Sequence, residues 1–255
     1  MRRLLLLVLV FAAAAALALP LAYLFYAADL PDLSGPDAIR SALAHRVESE
    51  RMAMATVGTG HAIEKFEVLP RGQLPAGLVQ GLIALEACPE YFQAPKEQGL
   101  PRLRRLAGRL FLEVSGGEPG PGRCQFRFAD LVGESVGVAD PIHAAIANHR
   151  ILEALSLEEL VTFRLAATFY APGVVGTRSA SQALFGADPA RIGLSESAEL
   201  LAAESYFPQY RACKNPARLK LLRDAVIDRM TGFGVIKESE GNRAKRRKVS
   251  CTTRP

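Results

Sequence analysis

The stretch SLEELVTFRLAATFYAPGVVG (156–176) decides the fold. Ser156 is an N-cap residue, and Glu159 follows three positions later. This is the capping-box pattern, in which each side chain serves the other's backbone N–H. Apolar residues crowd the turns that follow, so the segment reads as a helix bound for a core. From Pro141 onward nearly the whole chain reads as helix. Ser195 to Glu204 forms one more. Asn215-Pro216 opens another that runs to about Met230, with Asn as the cap and Pro in the first turn.

Upstream the same periodicity continues. Pro75 opens a helix whose one face carries Leu78, Leu82, Ile83 and Leu85 and which ends near Cys88-Pro89. Asp37 to about Met54 repeats Ile39, Leu43 and Val47 at four-residue steps. Ala62 to Val68 alternates and predicts a strand or hairpin arm. Pro101 to Leu112 predicts a basic amphipathic helix. Leu103, Leu106, Leu110 and Phe111 lie on one side, and Arg102, Arg104, Arg105 and Arg109 occupy the rest. SGGEPGPG (115–122) is a loop by composition. The tail after Gly241 is polar and basic and reads as disordered.

The chain has 255 residues, 49% of them hydrophobic, enough for a real core. Its net charge of +5 is matched by Arg243, Lys245, Arg246, Arg247 and Lys248 alone, so the body is neutral and gives no sign of nucleic-acid binding. Arg2 and Arg3 precede an uncharged run from Leu4 to Ala28. A bilayer core needs about 20 helical residues, and a cleavable leader's apolar region is only about 7–15 long. The run therefore predicts a membrane span, and Pro20 within it is tolerated there. The two arginines place its start in the cytoplasm and the body outside. A long signal peptide, cut near 15–19 or 26–28, is the alternative. Four cysteines (Cys88, Cys124, Cys213 and Cys251) match no zinc spacing. In an exported chain they allow one or two disulfides in any of three pairings, or free buried thiols.

The C-terminal half resembles the family 51 glycosyltransferases. These are the transglycosylase modules of penicillin-binding proteins and the monofunctional polymerases of the cell wall. The segment 156–176 follows a family block without a gap, and Ala180 and Phe185-Gly186 continue it. IGLSESAELLAAE (192–204), KNPARLKLLRDAVIDRM (214–230) and GFGVI (232–236) fall on the next family blocks in the same register. LPAGLVQGLIALEA (74–87) is similar to the family's first motif, whose catalytic glutamate falls on Glu86.

The resemblance implies transfer of a growing glycan from a lipid diphosphate to the hydroxyl of the next lipid-linked disaccharide, with inversion. Such a step needs a general base, here Glu86, and groups that stabilise the leaving diphosphate. Arg102, Arg104 and Arg105 are the candidates for the diphosphate, since a guanidinium forks well onto phosphate. No metal and no cofactor are implied. Other polar positions of the family pattern are replaced: its Asp after the glutamate is Ala87, its second glutamate is Ala144, its Arg-Lys pair falls on about Asp140-Pro141, and its Asn in Y-L-N is Ala166.

The expected architecture is mainly α. A lysozyme-like, two-lobed helical domain follows one transmembrane helix. The expected division is an anchor (1–28), a linker with helix and strand (29–73), a transglycosylase-like domain (74–240) and a basic disordered tail (241–255). The expected place is the bacterial inner membrane, single-pass, with the body in the periplasm. The implied partners are the lipid-linked disaccharide precursor, the glycan strand, the membrane and other wall-synthesis or division proteins. The chain's end at Pro255 predicts a stand-alone module. Two functions remain open: a divergent polymerase, or an inactive member that serves as an envelope scaffold or a lipid- or glycan-binding module.

Overall fold

The computed structural model describes residues 21, 23–56, 66–88, 91, 123–138, 140–171, 174–204, 213 and 215–250. The chain is mainly helical. The helices are α1 (Pro36–Thr56), α2 (Ala76–Leu85), α3 (Arg123–Ser135), α4 (Pro141–Ala154), α5 (Leu157–Ala167), α6 (Gly176–Phe185), α7 (Leu194–Glu204), α8 (Pro216–Gly232) and α9 (Glu238–Arg246). Between α5 and α6 the chain makes a small antiparallel hairpin, β1 (Phe169–Ala171) with β2 (Val174–Val175), Phe169 facing Val175. Continuous helix was expected there. Phe169, Tyr170, Val174 and Val175 are good strand formers, and Pro172-Gly173 stops a helix between them.

The capping box at the start of α5 is present: Ser156 Oγ accepts from the Glu159 backbone N–H, and the Glu159 carboxylate accepts from the Ser156 N–H at 2.8 Å. Asn215 caps α8 by accepting from the Arg218 N–H. The helices form two groups around one continuous core. In one, α2 packs on α7 and α8, and α9 closes over α8. In the other, α3 lies between α4 and α5. Helix α2 comes very close to α7 because Gly81 has no side chain; the Leu201 Cδ1 methyl sits where a Cβ would stand. A disulfide between Cys88 and Cys124, with Cα atoms 5.3 Å apart, ties the end of α2 to the start of α3. This fixes one of the pairings that spacing alone left open.

Three expectations need comment. Residues 1–20 and 22 of the expected membrane span lie outside the described residues. Among the described ones, no helix is long and apolar enough to cross a membrane. The expected strand arm at 62–68 is not a strand where it is described: Phe66 to Val68 forms neither helix nor strand, and 62–65 lie outside. The tail is not disordered from Gly241; α9 runs through it to Arg246 and the chain is placed as far as Ser250.

The tail is ordered because of one buried cation. Arg223 of α8 is fully buried, 0% exposed. Its Nη1 donates to the Arg247 carbonyl at 2.9 Å and to Ser195 Oγ at 3.2 Å. Its Nη2 donates to the Lys245 carbonyl at 3.0 Å and to Asp224 at 2.7 Å. Glu199 of α7, itself buried, lies 3.5 Å from Nη1 and accepts the Ser250 N–H at 2.9 Å. A fork with five donors is the side chain that can hold two backbone carbonyls and two acids together. Arg223→Ala is expected to lower the unfolding free energy by roughly 3–5 kcal/mol, as removal of one partner of a buried pair does. Urea denaturation measures that loss, and limited proteolysis should show earlier cleavage C-terminal to Gly241.

Candidate functional site

Glu86 sits where α2 ends. It is the C-cap, and Ala87 after it is left-handed at φ +53°. The Cys88 N–H donates to the Ile83 carbonyl at 3.0 Å and the Ala87 N–H to the Ala84 carbonyl at 3.3 Å. These two bonds make a Schellman ending, with Ala in the place that glycine usually takes. Arg229 of α8 adds a third bond, Nε to the Ala84 carbonyl at 2.9 Å. The helix end, and so the direction of Glu86, is fixed from both sides.

The Glu86 side chain is only 18% exposed, and it does not point into bulk solvent. Its carboxylate accepts from Arg127 Nε of α3 at 2.7 Å. Arg127 in turn lines a cavity of about 490 Å³ between α1, α3 and α4, together with Arg46, Asp130, Glu134, Ala144 and Asn148. Arg127, Asp130 and Glu134 are spaced i, i+3 and i+7, so one face of α3 presents all three. The hydrogen bond to Glu86 raises the Arg127 guanidinium above its ordinary value; partial burial opposes this, and the charges of Glu86, Glu134 and Asp130 add to it.

A second carboxylate feels the charge of Glu86. Glu204, the last residue of α7, pairs with Arg164 of α5. Arg164 also donates to Thr168 Oγ1 at 2.8 Å. Burial pushes the Glu204 carboxyl above the usual range; Arg164 works against that, and the charge of Glu86 adds to it. Tyr170 is buried nearby, and its hydroxyl is pushed up by burial and by Glu204.

The residues expected from sequence fare unevenly. Glu86 stands at the edge of a built polar site. Arg102, Arg104 and Arg105 lie outside the described residues. Ala144, where the family pattern has a second glutamate, lines the cavity, while Asp130 and Glu134 reach the same space from the facing helix. Ala166, in place of the Asn, is buried in the core. Asp140 is the N-cap of α4 and accepts from the Ile142 and His143 N–H groups. Sequence reasoning missed α3 altogether, and with it Arg127; Cys124, Phe128, Leu131 and Val132 at helical spacing were the available signal. It also missed Glu204, which had been read only as the end of a helix.

No protein-family profile matches the chain. It is similar to penicillin-binding protein 1A of Rickettsia felis, 25% identical over 224 residues, which is 86% of this chain. The chain spans 28% of that protein's length. This distant match supports a relationship to the penicillin-binding proteins at the level of the family only.

Two outcomes follow from this geometry. A non-glycine residue in the left-handed region costs about 1 kcal/mol, so Ala87→Gly should raise the unfolding free energy by about that much in a denaturant titration. Arg164→Met should leave Glu204 buried without its cation. The carboxyl then rises further above its unfolded value. The folded state keeps a proton that the unfolded chain releases, so stability falls as the pH rises above about 4.5. The variant is expected to lose on the order of 2–4 kcal/mol at pH 8 and less than half of that at pH 5. Parallel urea titrations at the two pH values measure the difference.

Proposed function

We propose that this chain is a divergent peptidoglycan glycosyltransferase, lysozyme-like in its two-lobed arrangement and anchored by 4–28 in the bacterial inner membrane, with its body in the periplasm. The observation that carries the reading is Glu86. The glutamate that falls on the family's catalytic position is held by Arg127 beside a polar cavity rather than pointing to solvent. In the reaction, the acceptor hydroxyl gives its proton to Glu86 as its oxygen bonds to the anomeric carbon of the growing strand. The bond from that carbon to the lipid diphosphate breaks, and the diphosphate leaves with the electron pair. Arg102, Arg104 and Arg105 are assigned to that diphosphate on the chemistry of their side chains. The partners on this reading are the lipid-linked disaccharide, the glycan strand and the membrane.

One observation favours a second reading, an inactive member that binds lipid or glycan within an envelope assembly. Ala87, Ala144 and Ala166 are small where the family pattern is polar, and Ala166 is closed off in the core. Labelled lipid-linked disaccharide separates the two. Wild-type protein is expected to form polymer, and Glu86→Gln to lose at least about a hundredfold in rate, as loss of a general base does. Saturable binding of the precursor without polymer would favour the binding module and sink the enzyme.

A further inference from the structure

The chain's excess of positive charge is held still. No acid follows Glu240, and Arg243, Lys245, Arg246, Arg247 and Lys248 crowd the stretch behind it. A run of like charges is ordinarily a disordered, solvated segment. Here Arg223 grips the carbonyls of Lys245 and Arg247, and Glu199 takes the Ser250 N–H. Gly241 and Ala244 turn the inner face of α9 into the protein, so close that a Cβ on Gly241 would stand 2.8 Å from Thr231 Oγ1. With the backbone and the inner face fixed, the outer face is fixed as well.

Two of these cations are taken up within the protein: Lys245 pairs with Asp228, and Arg247 with Glu196 at 3.0 Å. Arg243, Arg246 and Lys248 are exposed, and among the described residues no carboxylate pairs with them. Arg243 and Arg246 stand one turn apart, at the spacing where side chains on a helix are neighbours. The rim around them is acidic. Glu238 and Glu240 are exposed in the first turn of α9, and Asp228 is 65% exposed beside Lys245. A flat anionic bilayer or a long polyanion laid over α9 brings negative charge onto these acids as well as onto the arginines. A segment with carboxylates on one short face meets the arginines and ends before the rim. The position of the patch also separates it from a bilayer. Helix α9 packs on α8 and α7, whereas the segment leading out of the expected anchor packs on α4 through Tyr26 and His143, ring centres 5.5 Å apart.

We propose that the outer face of α9 is a docking surface for an acidic helix of a partner protein, whose carboxylates one turn apart meet Arg243 and Arg246 while Lys248 stands at the edge. A guanidinium forks onto a carboxylate in two parallel bonds, which gives the contact a register as well as a charge. The backbone of the surface is ordered before the partner arrives, so binding orders only side chains and loses little entropy. This surface makes no use of Glu86 and is independent of the reaction proposed above.

The test uses the full chain in micelles of an uncharged detergent. The probe is a fluorescein-labelled, alanine-rich peptide of about 16 residues, long enough to be helical, with glutamates one turn apart on one face. A second peptide has the same composition with its glutamates scattered around the helix. Fluorescence anisotropy reads binding. Arg243→Ala with Arg246→Ala removes two cations from the patch, and Arg40→Ala with Arg191→Ala removes two from elsewhere, so the two proteins keep equal net charge. These are surface positions, and thermal midpoints check that both variants fold. The expected result is saturable binding of the one-face peptide to wild type, at least about fivefold weaker for the scattered peptide and for the α9 variant, and within about twofold of wild type for the other variant. No binding, equal affinity for the two peptides, or equal loss in the two variants overturns the proposal. So does polyphosphate that displaces the one-face peptide at a lower concentration of charge than the scattered peptide does, which marks a general polyanion site. Loss of binding when phosphatidylglycerol is added to the micelles overturns it too, and makes an anionic lipid surface the occupant.

Discussion

The buried pair of Arg223 and Glu199 is the constraint on which the rest depends. Each is expensive to remove from water, and neither is tolerable there alone. Arg223 enters from α8 and Glu199 from α7, so the two helices can bury these groups only in one relative position. The same guanidinium holds the carbonyls of Lys245 and Arg247, and Glu199 holds the Ser250 N–H. The C-terminal segment is thus a structural part of the helix pair. Its cations would keep an isolated peptide solvated. Here Arg247 and Lys245 are also turned onto Glu196 and Asp228, which gives the charges partners.

That helix pair is the floor on which α2 lies. Gly81 admits Leu201 of α7, and Arg229 of α8 takes a carbonyl at the end of α2. The Schellman turn follows directly, and it spends backbone strain at Ala87 to aim the chain toward Cys88. Strain of this kind persists only where surrounding contacts over-determine the geometry. Three such contacts are present: the turn's own hydrogen bonds, Arg229, and the disulfide to Cys124. Glu86 and Arg127 face each other because Cys88 and Cys124 are bonded two residues beyond Glu86 and three residues before Arg127.

Much of the helical frame was legible in the sequence because its signals are local. Ser156 with Glu159, and Asn215 with Pro216, carry their own start instructions in side chains that serve nearby N–H groups. The hairpin at 169–175 was lost because a short apolar run has no period long enough to separate strand from buried helix. The ordered tail was lost for a different reason. Its composition is that of a disordered segment, and what orders it is a cation some 20 residues upstream whose burial no local pattern reveals. The site was legible at Glu86 alone, through a motif. Arg127, Asp130 and Glu134 belong to a helix that was not read from the sequence, and Glu204, whose carboxyl feels the charge of Glu86, comes from a helix remote in sequence. Polar groups that meet only through tertiary packing leave a trace in helical spacing, but the spacing does not say what they face.

Ala144 on α4 and Asp130 and Glu134 on α3 are best understood together. Helices α3 and α4 pack side by side, so a space between them can be lined from either. A carboxylate carried on α3 rather than on α4 keeps the space acidic while changing its shape. It also changes the company the carboxylate keeps. On α3 the acids share a helical face with Arg127, at spacings where side chains meet. Arg127 is hydrogen-bonded to Glu86 and also feels the charges of Asp130 and Glu134. On the reading proposed above, this matters for a base. A carboxylate must take a proton from an incoming hydroxyl, and the single bond from Arg127 Nε leaves most of the lone pairs of Glu86 open to it. Ala144 on α4 and the acids on α3 therefore shape the same space.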